Sequence, residues 1–269
     1  MKINRKIDNY LKSKEKHYKL RSRNSSIKFF IRKIIFFFIG LLNNLLLKKS
    51  DEIPTHEAII LGRGKSVEKY YKDRTKIKKI KHIVVVNFRD EDVPAGYLKK
   101  LNNKVVHLFI SMGELIPPIK YLRAFIIGKV IFGRCEIMKN KYYGRRKSFK
   151  ANIILNRLEY MPNELINFWW LQNSGLSAMC YMIKMWKLKK IHLFGFNFYS
   201  GDYLNHSIEE EIKKANKKNY DPKEYKEIIK ASKKLKNNFI KLVKSCKDTN
   251  FYFYGDCKFN QKPKNLKMI

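Results

Sequence analysis

The stretch "AIILGRGKSVEKYY", Ala58 to Tyr71, reads as a strand that runs into a glycine turn and then a helix. The apolar run Ala58 to Leu61 suits a strand buried on both faces. Gly62 and Gly64 give the backbone close access, and Ser66 can cap a following helix whose first amides favour an anion. The turn is not a Walker motif, because the spacing between glycine and Gly-Lys-Ser is absent. It is not GxGxxG either, since the third glycine is missing. Taken alone, such a turn is more often packing geometry than a ligand site.

Its neighbours decide the fold. Further short apolar runs occur at Ile83 to Val86, Val105 to Ile110, Asn152 to Leu155, Ile191 to Phe194 and Phe251 to Tyr254. Helical patterns lie between them, most clearly at Ser174 to Lys187 and Glu224 to Lys244. This alternation predicts a doubly wound α/β domain with a parallel sheet and ligands beyond the carboxyl ends of the strands. The polar segment Tyr199 to Glu224 interrupts the alternation. An insertion there reads either as a lid or as a solvated helix and loop. There is no internal repeat.

The chain has 269 residues, 45% hydrophobic and 14% aromatic, enough for one large domain with a core. Its net charge is +36, from 59 Lys and Arg against 23 Asp and Glu. Drift toward lysine explains part of that excess. The functional readings are an anionic membrane surface, a nucleic acid or phosphorylated substrates. No zinc-finger spacing, aromatic RNA-binding signature or GXXG clamp is present, so no specific nucleic-acid partner is expected. Cys135, Cys180, Cys246 and Cys257 form no CxxC pair, which fits a reducing cytoplasm better than a disulfide scaffold. Cys180, on an apolar helix pattern, is expected to be a buried free thiol. Cysteine and histidine spacing suggests no metal site.

Two parts follow from composition: residues 1–50, and a domain over 51–269 with a lid at about 200–223. Residues 1–26 are polar and basic and read as a solvated tail. In Ile27 to Lys49, the apolar core Ile34 to Leu42 is too short to span a bilayer. On a helix, Lys28, Arg32 and Asn43 fall near one side, while Phe30, Ile31, Ile34, Phe38, Leu41 and Leu45 fall on the other. An interfacial helix on anionic headgroups fits best, ahead of a spanning anchor and of a helix packed on the domain. No small-residue cleavage site follows it. The expected location is peripheral, on a membrane surface, with a single-pass anchor as the second reading.

Four places could carry chemistry. The first is the glycine turn. The second is "VVVNFRDED", where Asn87 ends a buried strand. Asp90, Glu91 and Asp92 there imitate a metal-holding Asp-x-Asp pair, although a charged helix start accounts for them better. The third is "NSGLSAMCYMIKMW". Ser174 is the expected N-cap after Asn173, and Gly175 would let an anionic ligand approach the first turn. The fourth is "IHLFGFNFYSGDYLNHS", with Gly195, Tyr199, Tyr203 and His206. Histidine can act as a general base near its unperturbed pKa, and tyrosine hydroxyls can donate hydrogen bonds to a leaving phosphate.

In this order the blocks "IILGRGKSVEKY", the Asn of "VVVNF", "NSGLSAMC" and "KKIHLFGFNFY" resemble the bacterial sialyltransferases of glycosyltransferase family 42. The resemblance covers roughly residues 57 to 257. It implies a single Rossmann-like nucleotide-binding domain of variant GT-A type with a small lid. It also implies transfer of sialic acid from a CMP-sugar to a glycan hydroxyl with inversion, without metal or other cofactor. By the same resemblance, Gly62, Gly64, Ser66 and Asn87 hold the nucleotide, and Ser174 and Gly175 the donor sugar. Tyr199 and Tyr203 contact the leaving phosphate, and His206 is the base. A glycolipid such as lipooligosaccharide is the implied acceptor, and families of this kind often form homo-oligomers.

The chain departs from the family in four places. Arg63-Gly64-Lys65 replaces Asn-Gly-Pro, Ser111 stands where a donor-contacting Asn is expected, Leu171 replaces a basic residue, and the lid is shorter. The competing readings are a metal-dependent transferase using Asp90 and Asp92 with a nucleotide diphosphate sugar, and a non-enzymatic basic protein that binds membrane or nucleic acid.

Overall fold

The computed structural model describes residues 34, 38, 41–42, 45–64, 66–72, 77, 79–87, 101–110, 122–135, 158–162, 165, 173–198 and 222–269. Strands β1 (Glu57–Leu61), β2 (His82–Val86), β3 (Val105–Ile110), β4 (Ile126–Cys135), β5 (Leu158–Met161), β6 (Lys190–Phe194), β7 (Asn250–Phe253) and β8 (Leu266–Met268) form one sheet. The order is β5-β4-β3-β2-β1-β6-β7-β8, and every neighbouring pair is parallel. Helices α1 (Val67–Lys72), α2 (Ser174–Met185) and α3 (Pro222–Ser245) lie among them. This is an α/β fold compatible with a Rossmann-like nucleotide-binding domain.

The short apolar runs become strands because both faces of the sheet are covered. Along β1, Ala58 and Ile60 join one core with α2 and α3, while Ile59 and Leu61 join the other with α1. Each of the isoleucine and leucine side chains contributes roughly 1.5–3 kcal/mol by leaving water. Helix α2 lies against β2, β3 and β4, and its residues Gly175 to Met182 are all buried. Cys180 is among them, with its thiol pKa raised chiefly by burial. In α3, Leu235, Phe239, Leu242 and Val243 recur at helical spacing on the buried side.

Several expectations are corrected. Strand β4 was not anticipated, because Gly128, Lys129 and Gly133 break its apolar run. A Cβ on Gly128 would stand 2.6 Å from His107 Nδ1, and one on Gly133 2.7 Å from Phe109 Cε1, so both glycines make room for β3 side chains. Lys129 reaches sideways to Glu159 on β5 (2.6 Å), whose other oxygen accepts from the Tyr181 hydroxyl on α2 (3.0 Å). Strand β8 is three residues long and was also missed. The expected strand Asn152 to Leu155 lies outside the described residues, and β5 begins after it. Helix α3 starts at Pro222, inside the span expected for the lid, with proline at a first-turn position that needs no N–H.

At the amino ends of β2 and β3 lies a histidine pair. The Lys129 backbone N–H donates to His107 Nδ1 (2.9 Å), so the ring proton of neutral His107 is on Nε2, where it donates to His82 Nδ1 at 3.1 Å. His107 is fully buried against Trp186, and its pKa is pushed down to about 3, first by burial and then by His82 and Lys129. The unfolded chain therefore takes up this proton at higher pH than the folded one. The stability so gained is complete above about pH 6.5 and is lost as pH falls toward 3. Urea midpoints measured from pH 7.5 to 4 should fall steeply. In His107→Gln, which keeps an acceptor for Lys129 N–H, the slope should shrink.

Candidate functional site

The chain winds outward from β1 in one direction through β2, β3, β4 and β5, and from β6 in the other through β7 and β8. The topological switch point is therefore the crevice between β1 and β6. In open α/β sheets that crevice, beyond the carboxyl ends, is where ligands bind. Strand β1 delivers Gly62, Arg63, Gly64 and Ser66 to its rim. Strand β6 delivers Gly195, Phe196, Asn197 and Phe198 to the facing rim.

The glycines are explained by how closely these rims meet. Gly62 N–H donates to Phe194 O (2.7 Å) and Gly64 N–H to Gly195 O (2.9 Å). A Cβ on Gly62 would lie 2.4 Å from Gly195 O, and one on Gly64 2.8 Å from both Gly195 O and Asn197 Oδ1. Gly195 has φ +75° and would press a Cβ to 2.7 Å from Gly62 carbon and oxygen. Its N–H donates to Ser66 Oγ (3.0 Å). The Ser66 hydroxyl thus ties the two rims together, in place of the helix cap expected of it. Because the Gly62, Gly64 and Gly195 amides are occupied in this way, the glycines supply close packing of the two rims rather than free N–H donors. Arg63 is half-buried in the turn. Helix α1 has only six residues, so its dipole adds little.

The start of α2 joins the same constellation through Phe196. A Cβ on Gly175 would stand 2.4 Å from Phe196 Cε1, so glycine is required there for packing. The N-cap is Asn173, extended at φ −168°, ψ 137°, whose Oδ1 accepts from Gly175 N–H at 2.7 Å. Ser174, the expected cap, is instead the first helical residue. The reason lies one residue earlier: asparagine is at least as good a cap and has the extended backbone that caps adopt.

Asn87 follows β2 at the same end of the sheet, with φ +52° and its N–H donating to Phe109 O at 2.8 Å. Asparagine tolerates this left-handed geometry better than most residues. Phe198 adopts it too, at φ +50°, where a bulky residue costs about 1–3 kcal/mol. The strain is offset by burial of its ring, 5.2 Å from Phe239 and parallel to Phe253 within 7°. Phe196, Asn197 and Phe198 were not expected as site residues. Aromatic residues after a strand look like core, and nothing local announces a left-handed phenylalanine. Lys65, Asp90, Glu91, Asp92, Ser111, Leu171, Tyr199, Tyr203 and His206 lie outside the described residues.

No family model matches the chain, and no curated protein does. Among solved structures, the monofunctional alpha-2,3-sialyltransferase Cst-I from Campylobacter jejuni is similar over 78% of this chain and 80% of its own. The identity is 21% and the TM-score 0.30.

Proposed function

We propose that the protein is a glycosyltransferase that moves a sugar, sialic acid or a related sugar acid, from a CMP-sugar to a glycan hydroxyl with inversion. The observation that carries this reading is the meeting of Gly62–Ser66 and Gly195–Asn197 across the switch point, with the Asn173–Gly175 helix start packed on Phe196. Gly62, Gly64, Ser66, Gly175 and Gly195, which belong to the sequence blocks behind the resemblance, lie together beyond β1 and β6 and support this reading.

In this reading the rims hold the cytidine nucleotide, and Arg63, with Lys65 beside it in sequence, balances the phosphate charge. The acceptor hydroxyl gives its proton to His206 as its oxygen attacks the anomeric carbon, while the bond to the phosphate breaks on the opposite face. Tyr199 and Tyr203 donate hydrogen bonds to the departing phosphate, stabilising charge where it develops. A single phosphate needs no metal to bridge it, so turnover should survive EDTA.

The test is to offer the full-length protein a panel of sugar nucleotides and follow nucleotide release. Release of CMP from CMP-sialic acid in EDTA supports the reading. Turnover confined to a nucleotide diphosphate sugar with manganese overturns it.

A further inference from the structure

Ile34, Phe38, Leu41, Leu42, Leu45 and Leu46 are helical and exposed, by 43% to 84% of their surface. Their spacing places them on one stripe of a helix. From Ile27 to Lys49 the sequence holds no acidic residue, and Lys28, Arg32 and Lys33 precede the stripe in sequence while Lys48 and Lys49 follow it. We infer that this stripe docks into the interface of a bilayer containing anionic lipid, with its apolar side chains among the acyl chains and the flanking cations on the phosphates.

Charge selects this occupant. A second copy of the chain would bring the same cations together, on a molecule already at +36, whereas an anionic bilayer neutralises them. Among the described residues, no helix is long and apolar enough to cross a membrane. The stripe is also firmly joined to the domain. Leu47 is buried in the α1-side core, Ile127 N–H donates to Lys48 O (2.8 Å), and Ser50 N–H donates to Ile127 O (2.9 Å). That junction is at the amino end of β4, whereas Gly62 and Gly195 lie at the carboxyl end of the sheet. Docking and nucleotide binding are therefore separable, and loss of one leaves the other in place.

The experiment is co-sedimentation of the full chain with phosphatidylcholine vesicles, with and without phosphatidylglycerol. Binding to the anionic vesicles should exceed binding to the neutral ones by at least tenfold, to order of magnitude, and should weaken as salt rises. The double variant Leu41→Glu/Leu45→Glu should lower that binding about tenfold or more with an unchanged melting temperature, because both side chains are exposed. Equal binding to both vesicle types overturns the inference. So does resistance to alkaline carbonate extraction, which would mean a spanning anchor, or a dimer that the variant breaks while vesicle binding persists.

Discussion

Gly195→Ala is expected to destabilise the protein by about 2–5 kcal/mol and to remove nucleotide binding with it. Two costs combine. The left-handed backbone at φ +75° penalises any Cβ by about 1–2 kcal/mol. The new methyl group would also lie 2.7 Å from the Gly62 carbonyl carbon and oxygen, an overpacking of about 1–3 kcal/mol that backbone atoms cannot rotate away from. Gly62→Ala meets only the second cost, because its Cβ points at Gly195 O from an ordinary backbone. The double variant should cost less than the sum, since one parting of β1 from β6 accommodates both methyl groups. Urea unfolding gives the stabilities, and CMP calorimetry on the folded fraction gives binding. A Gly195→Ala protein as stable as wild type would show that the rims do not meet as described.

His206→Ala carries the largest expected effect on rate. If His206 takes the acceptor proton, its removal should lower kcat about 10²- to 10⁴-fold while CMP affinity is kept. The pH profile discriminates further. A histidine base works only when neutral, so kcat/KM should fall below its pKa, near 6.5 for an unperturbed ring, and that acidic limb should vanish in the variant. Equal loss of CMP affinity and rate would instead make His206 a binding residue.

Much of the architecture is legible in the sequence because double burial writes itself as unbroken apolar runs. Ala58–Leu61, Ile83–Val86 and Ile191–Phe194 each sit within an observed strand. Strand β4 hides because its glycines answer to His107 and Phe109 on another strand, and β8 because a three-residue edge strand has too little pattern to read. The site is legible in a different way. Gly62, Gly64 and Gly175 stand out as glycines, yet what each accommodates is a neighbour distant in sequence: Gly195 for the first two, Phe196 for the third. Local reasoning weighs packing above a ligand at the glycine turn but cannot name the neighbour, and at Gly175 it points to a ligand where Phe196 packs. The cap is a smaller case of the same kind, since Asn173 and Ser174 are both good caps and only the backbone decides between them.

The proposed mechanism requires a cytidine nucleotide at the switch point between β1 and β6. Titrating CMP into isotope-labelled protein and following each backbone amide tests it most directly. The largest shifts are expected at Gly64, Ser66, Asn87, Gly195 and Asn197, all at the carboxyl ends of the strands. Shifts confined to the opposite end, around His82 and His107, or none at saturating CMP, would contradict it.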